Sequence, residues 1–278
     1  MLSSMKSLLK GDVETITAVI SYHNDISGLV GLLSYLPLDM PVIIADDCSD
    51  KPVDALVDAI RHKHNTKLIR HSQNWGYVKS TWIAANQADS DIILLLNQDI
   101  KFQEPFQAKL LDTFNEHHEV GIVGCLSLTR TGRVHHAGIA FDADCQPYHR
   151  YFMFEDPSYA PVQTAGYVPA VNGAFFAIRR EVWHNKDGYD WLYYKRAYFE
   201  DVDLCLRCAA SGWKTWYEPS IEVIHVSDHS KKDFTWQSYN AMMFKRRWVD
   251  NELIVPDMLV RKEDFWPHEE DVERVYSA

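Results

Sequence analysis

An α/β fold on a mostly parallel sheet is the architecture this sequence predicts, and three observations lead there. Short β-rich runs alternate with helical patterns through the first 130 residues. Several of those runs are almost wholly apolar, as strands covered on both faces must be. Four of the five end abruptly in polar side chains, and in an open parallel sheet those ends line one crevice where ligands bind.

The strands read in order as "ITAVISY" (16–22), "PVIIADD" (41–47), "KLIRH" (67–71), "DIILLLNQD" (91–99) and "VGIVGCLSL" (120–128). Between them "ISGLVGLLSYL", "VDALVDAIRHKH", "YVKSTWIAANQA" and "PFQAKLLDTFNEHH" repeat apolar residues at three- and four-residue spacing, which predicts helices. After residue 130 the pattern changes. "GRVHHAGIAF" predicts a strand or hairpin, and 142–168 a loop rich in aromatics and proline. "FEDVDLCLRCAASG" predicts an amphipathic helix stopped by Gly212, with "KTWYE" and "IEVIHV" as two strands after it. "WQSYNAMMFKRRWV" predicts a closing helix with a basic patch, ahead of the acidic tail "EEDVERVYSA". The expected organisation is one domain over 1–230 and a C-terminal helical extension over 231–278 that packs on it.

The 39 acidic and 28 basic residues leave a net charge of -11, which excludes non-specific binding to nucleic acid and obliges any anionic substrate to find local cations. Five cysteines without zinc-type pairing suggest reduced thiols and a cytoplasmic setting. The first 22 residues hold no apolar segment long enough for a signal peptide, and no run approaches a membrane span. Membrane contact is therefore expected to be peripheral at most, at the inner face, with "MMFKRRW" as its candidate, although simple packing of that helix is the favoured reading.

The polar strand ends are Ser21 to Asn24, Asp46-Asp47, His71 to Asn74 and Asn97-Gln98-Asp99. Any α/β protein needs caps and turn residues there. Two carboxylate-bearing ends in one crevice make that explanation insufficient.

Together "ADDCSD", "NWGYVKS", "LLLNQD", "VNGAFFAIRR", "FEDVDLCLRCAASGWK" and "VIHV" resemble, in order and spacing, the family-2 glycosyltransferases, over roughly residues 14 to 230. "LNQD" and the "YNAMMFKRRW" helix are most similar to a rhamnosyltransferase-like branch. The resemblance implies a GT-A fold that binds a nucleotide-diphospho-sugar and transfers the sugar with inversion to a glycan or lipid-linked acceptor, in cell-surface polysaccharide synthesis. Residues 14–130 would then bind the nucleotide and 131–230 the acceptor.

The implied cofactor is a divalent cation, manganese or magnesium, which stabilises the charge growing on the departing diphosphate. Asn97-Gln98-Asp99 falls on the family's metal-binding motif with Asn97 in place of the first carboxylate. Asp99 then remains as metal ligand, joined by His225, while Asn97 is left to a hydrogen bond with ribose. The family's general base falls on Asp201, with Glu200 as the second choice at the same helix start. Asp203 is expected to pair with Arg207 instead. Ser21, Tyr22 and Asp47, with Asp46 in reserve, match the positions that hold base and ribose; a carboxylate accepts a pyrimidine N–H. Lys79 is a candidate for the diphosphate, Asn172 and Gly173 for the loop that closes on the sugar, and Trp191 and Tyr194 for acceptor contacts.

Two rival functions remain. A sugar-nucleotidyltransferase would carry a glycine- and arginine-rich phosphate loop after the first strand, where "SYHNDISG" stands. A non-catalytic nucleotide- or glycan-binding descendant finds support in Asn97, against the retained Glu200, Asp201 and His225.

Overall fold

A run that is apolar at every position can only be satisfied inside a sheet, and the centre of this one is built that way. In the computed structural model, which describes residues 12–51, 53–58, 65–226, 234–255 and 258–259, strand β1 (Ile16–Tyr22) lies between β2 (Val42–Asp46) and β4 (Ile92–Asn97). Both pairings are parallel, in continuous register from Ala18↔Val42 to Tyr22↔Asp46 and from Ile16↔Ile92 to Ser21↔Asn97. Strand β3 (Thr66–Arg70) extends the sheet beyond β2. Helices α1 (Ile26–Tyr35) and α2 (Tyr77–Ala85) cover it, α1 capped by the Asp25 carboxylate, which accepts the Gly28 N–H at 2.9 Å.

Beyond β4 the sheet turns mixed. Strand β5 (Ile100–Phe102) and helix α3 (Gln107–Glu116) lead to β6 (Val120–Leu128), and β11 (Phe175–Arg179) runs antiparallel between β4 and β6. Strand β12 (Lys214–His225) pairs parallel to β6 and antiparallel to β5, with β10 (Gly166–Val168) at its outer edge. Thus β3, β2, β1, β4, β6 and β12 point the same way, and β11 and β10 oppose them.

Three expectations need correction. "KTWYE" and "IEVIHV" belong to one strand, β12, whose register against β6 slips between Glu218 and Glu222. Pro219 in that interval has no N–H for the ladder, so a bulge forms without ending the strand. "GRVHHAGIAF" is two strands with different partners: β7 (Val134–His136) folds back on β6, while β8 (Ile139–Phe141) pairs with β9 (Pro147–His149). Gly138, at φ +90°, makes the break. The segment 142–168 therefore contains two strands, β9 and β10, each too short to show a period. In "VDALVDAIRHKH" residues 54–58 are helical; residues 59–64, the acidic tail and the N-terminal stretch lie outside the described residues.

Helices α4 (Arg180–Asn185), α5 (Glu200–Ala209) and α6 (Phe234–Phe244), the last running into a π-helical turn over Lys245–Val249, enclose the other face. Phe244 and Trp248 are buried in the same core as Val202, Leu206 and Trp183. Among the described residues no helix is long and apolar enough to cross a membrane.

Candidate active site

Because β1, β2, β4 and β12 are aligned, their last residues arrive at a single edge of the sheet. Ser21, Asp47, Asn97, Gln98 and Asp99 line a cavity there of about 370 Å³, together with His23, Asn74, Gly76, Tyr77, Arg196 and Ala197. A larger hollow of about 690 Å³, between α1 and α3, is lined by Tyr35, Pro37, Phe102 and Phe106 and carries none of these strand-end groups.

The two aspartates ending β2 have different fates. Asp46 is fully buried; its Oδ1 accepts the Ser49 N–H at 2.9 Å and its Oδ2 pairs with Arg70. It is an internal brace. Asp47 reaches the cavity and accepts the N–H groups of Trp75 and Gly76, each at 2.7 Å. Tyr22 is buried beneath Ser49, so of the first strand's pair only Ser21 faces the cavity. Gln98 crosses to His23, accepting its N–H at 2.8 Å and donating to its carbonyl at 3.2 Å.

Beside Asn97 and Asp99, a sequence-distant imidazole arrives from β12. The antiparallel pairing of β12 with β5 sets His225 opposite Ile100, and the Val226 N–H bonds the Asp99 carbonyl at 3.1 Å. His225 Nε2 lies 3.4 Å from Asp99 Oδ1 and 3.4 Å from Asn97 Nδ2. The His135 ring packs edge-on against His225 at 5.0 Å, and His136 behind it is buried, its Nε2 receiving the Gly138 and Asn172 N–H groups at 3.3 and 3.4 Å. Burial and the neighbouring histidines hold His136 well below the usual imidazole range, so it stays neutral and accepts.

The carboxylate–imidazole set of Asp99 and His225 fits a hard-to-borderline divalent cation such as manganese. Among the described residues no cluster of three or more His, Cys, Asp or Glu side chains could hold a metal ion, so two protein ligands leave most of a coordination sphere to a ligand's oxygens and water.

The first turn of α5 carries Glu200 and Asp201. Asp201 Oδ2 accepts the Gly173 N–H at 2.7 Å and Oδ1 the Val202 N–H at 2.8 Å; the Gly173 carbonyl in turn accepts the Tyr77 hydroxyl at 2.8 Å. Tyr77 is part of the cavity wall, so Asp201 stands two hydrogen bonds from it. A Cβ on Gly173 would lie 3.2 and 3.3 Å from the Tyr189 and Tyr77 hydroxyls, a tight fit that those side chains would have to ease by a few tenths of an ångström. Burial raises the Asp201 carboxyl above its ordinary range against the pull of the backbone N–H groups. Glu200 is raised further, by burial and then by the charge of Asp201, and its Oε2 has no hydrogen-bond partner among the described residues.

Two expected contacts, Lys79 and Tyr194, are placed elsewhere. Lys79 does not line the cavity: its Nζ sits 3.2 Å from the Trp75 ring centroid and 4.3 Å from that of Trp191, a cation held between two indoles. Trp191 keeps an outer position in that stack, beside Trp82 at 5.9 Å. Tyr194 is 1% exposed and donates to Asp203 Oδ1 at 3.1 Å, so it has no face to offer an acceptor. Asn172 is buried behind the loop start, leaving Gly173 as the residue of that pair on the path to the cavity. The expected Asp203–Arg207 pair is present at 2.7 Å. Arg196 and Tyr77, both on the cavity wall, were missed by sequence reasoning: Tyr77 stands in "NWGYVKS" but carries no charge to suggest a role, and Arg196 belongs to no motif or strand end.

Residues 31–251 match the family model described as "Glycosyltransferase like family 2". The chain is 26% identical over 199 residues to the N-acetylglucosaminyl-diphospho-decaprenol L-rhamnosyltransferase of Mycobacterium tuberculosis, covering 62% of this chain and 62% of that protein. It is 29% identical over 177 residues to the O-antigen biosynthesis protein RfbC of Myxococcus xanthus, covering 60% of this chain and 13% of that protein. It thus spans under two thirds of either relative. Among solved structures, GalNAc-T7 with UDP, GalNAc and Mn2+ superposes with a TM-score of 0.67 at 17% identity, over 87% of this chain and 50% of that one, a likeness of fold. The fold is GT-A, and with most of its length matched by the family model the chain belongs to glycosyltransferase family 2.

Proposed function

We propose that this chain is an inverting, metal-dependent glycosyltransferase that moves a sugar, rhamnose among the candidates, from a UDP- or dTDP-linked donor to a hydroxyl of a glycan or lipid-linked saccharide. Production of cell-surface polysaccharide is the role this reading implies. The observation that carries it is a cavity at one sheet edge lined by Asp47, Asn97 and Asp99, with His225 3.4 Å from both Asp99 and Asn97 and Asp201 two hydrogen bonds from its wall. The names of the relatives support the reading: one acts on a lipid-linked diphospho-saccharide, another in O-antigen synthesis. The 1–230 domain with an appended helical segment is the organisation we propose with it, at the cytoplasmic face of the membrane.

In this mechanism Ser21 and Asp47 hold the nucleoside, Asp47 keeping one lone pair per oxygen beyond the two backbone bonds it makes. Asn97 hydrogen-bonds ribose or sugar. Asp99 and His225 would hold a manganese or magnesium ion, which when bound offsets the charge growing on the diphosphate. Asp201, fixed by two backbone N–H groups, takes the proton from the acceptor hydroxyl as its oxygen bonds the anomeric carbon and the nucleoside diphosphate departs from the opposite face of the sugar. Glu200, more strongly buried, keeps its proton to higher pH and so leaves Asp201 the better base.

Asp201→Asn is expected to lower transfer by roughly 10²- to 10⁴-fold while nucleoside diphosphate affinity stays within about threefold, since the base acts on the acceptor. Full transfer by that variant, with a panel of sugar nucleotides, shows that another group is the base. Asn97 in place of a carboxylate is the observation that favours a non-catalytic binder. Absence of turnover in wild type under every donor and metal, with nucleotide binding intact, supports that second reading.

A further inference from the structure

An acidic protein that binds a diphosphate needs cations near it, and the lysine expected to serve is occupied between two indoles. The cavity wall contains one side chain of fixed positive charge, Arg196. Its Nη1 donates to the Asn74 carbonyl at 3.1 Å and to the Asn74 side chain. Those are its hydrogen bonds among the described residues, and it has no carboxylate partner there. Nε and Nη2 therefore remain uncommitted on an exposed guanidinium beside the strand ends.

The backbone that presents Arg196 is unusual. Arg196, Tyr198 and Phe199 have φ of +60°, +84° and +70°, in the left-handed region that side-chain-bearing residues disfavour by roughly 1–2 kcal/mol each. Such a conformation persists only where its surroundings over-determine it. Here the clamp is Asn240, fully buried on α6. Its Nδ2 faces the carbonyls of Lys195, Ala197 and Tyr198 at 2.7, 2.7 and 3.1 Å, and its Oδ1 accepts the Lys195 N–H at 2.9 Å. On the cavity side the Val78 N–H bonds the Arg196 carbonyl at 2.9 Å. Gly76 is so close that a Cβ there would lie 2.7 Å from both Cα and Cδ of Arg196. The loop is pressed onto the nucleotide side of the site from one direction and held by the C-terminal helix from the other.

Resting on the glycosyltransferase reading, we propose that Arg196 is the protein's own cation for the donor diphosphate and that Asn240 is the positioning residue that keeps it at the cavity. A planar guanidinium with free N–H groups suits phosphate oxygens, and a diphosphate offers it one more anionic group than a monophosphate. The same clamp fixes the start of α5, so one amide on α6 sets both the diphosphate cation and the entry to Glu200-Asp201.

The test is calorimetric titration of UDP, dTDP, UMP and dTMP into the full chain with manganese present. For Arg196→Ala the affinity for the preferred diphosphate is expected to fall roughly tenfold to hundredfold, and for the matching monophosphate much less. Arg196→Lys is expected to recover part of the difference. Asn240→Ala, or Asn240→Ser if the first does not fold, is expected to reproduce the loss of diphosphate-over-monophosphate preference. Wild-type affinity for the diphosphate in Arg196→Ala, or an equal loss for both nucleotides, overturns the assignment. An unchanged preference in folded Asn240 variants overturns the positioning role. Wild type that binds none of the four nucleotides removes the donor reading itself, and this assignment with it.

Discussion

The two sides of the strand-end cavity are made differently. On one side, Ser21, Asp47 and Asn97 end or follow adjacent parallel strands, and their spacing is imposed by the register of β1 with β2 and β4. On the other side, Arg196, Glu200 and Asp201 follow no strand. Their positions come from side-chain networks, chiefly Asn240 and a buried carboxylate, Asp203. Asp203 Oδ1 accepts from Tyr194, Arg247 and Trp248 and its Oδ2 from Arg207, while Arg247 also pairs with Asp190 at 2.7 Å. A backbone ladder spreads its stabilisation over many equivalent bonds. A buried polar network concentrates it in a few atoms, so single changes there should act more strongly.

The largest expected effect follows from removing the carboxylate at the centre of that network. Asp203→Ala leaves two guanidiniums, an indole N–H and a buried hydroxyl without their acceptor, and is expected to cost about 3–5 kcal/mol in denaturant unfolding. A loss below about 1 kcal/mol shows that α5 and the C-terminal segment do not depend on each other. Such a result erases the contrast between the two sides.

A smaller effect, and a sharper one, concerns Glu200. Its carboxyl is raised by burial, so the unfolded chain releases this proton at lower pH than the native state does. Between the ordinary glutamate range and the raised native value the native state holds more protons, and stability falls as pH rises. Glu200→Gln is expected to flatten that slope, staying near wild type around pH 4 and exceeding it by a margin that grows toward neutral pH. Urea melts from pH 4 to 8 decide it; parallel profiles show that Glu200 ionises no differently when folded.

The same contrast explains what was legible in the sequence. β1, β2, β4 and β6 announced themselves because a strand covered on both faces must be apolar throughout, and the polar ends of β1, β2 and β4 then named the crevice. Helix α5 showed its amphipathic period and its stop at Gly212, which has φ +88°. Of the three-residue strands, β7 and β8 showed only as one stretch, a strand or hairpin, and β9 and β10 left no signal. Pro219 disguised β12 as two strands. Asn240 and Asp203 were illegible as anchors for a different reason: a buried amide whose partners lie about forty-five residues away has no local pattern. Tyr194 and Trp191 look alike in composition, and only packing separates the buried ring from the outer one. Lys79 had the right charge for a diphosphate, but nothing in its own segment revealed that Trp191, far along the chain, would cover it.

The central claim is that Asp99 and His225 meet at the strand edge to bind a nucleoside diphosphate through a divalent ion. Calorimetry of the preferred nucleoside diphosphate, with manganese and then with excess chelator, tests it in wild type and in Asp99→Ala. The expected result is binding to wild type that chelator weakens at least tenfold, and metal-independent residual binding in the variant. Equal affinity with and without chelator in wild type contradicts the account.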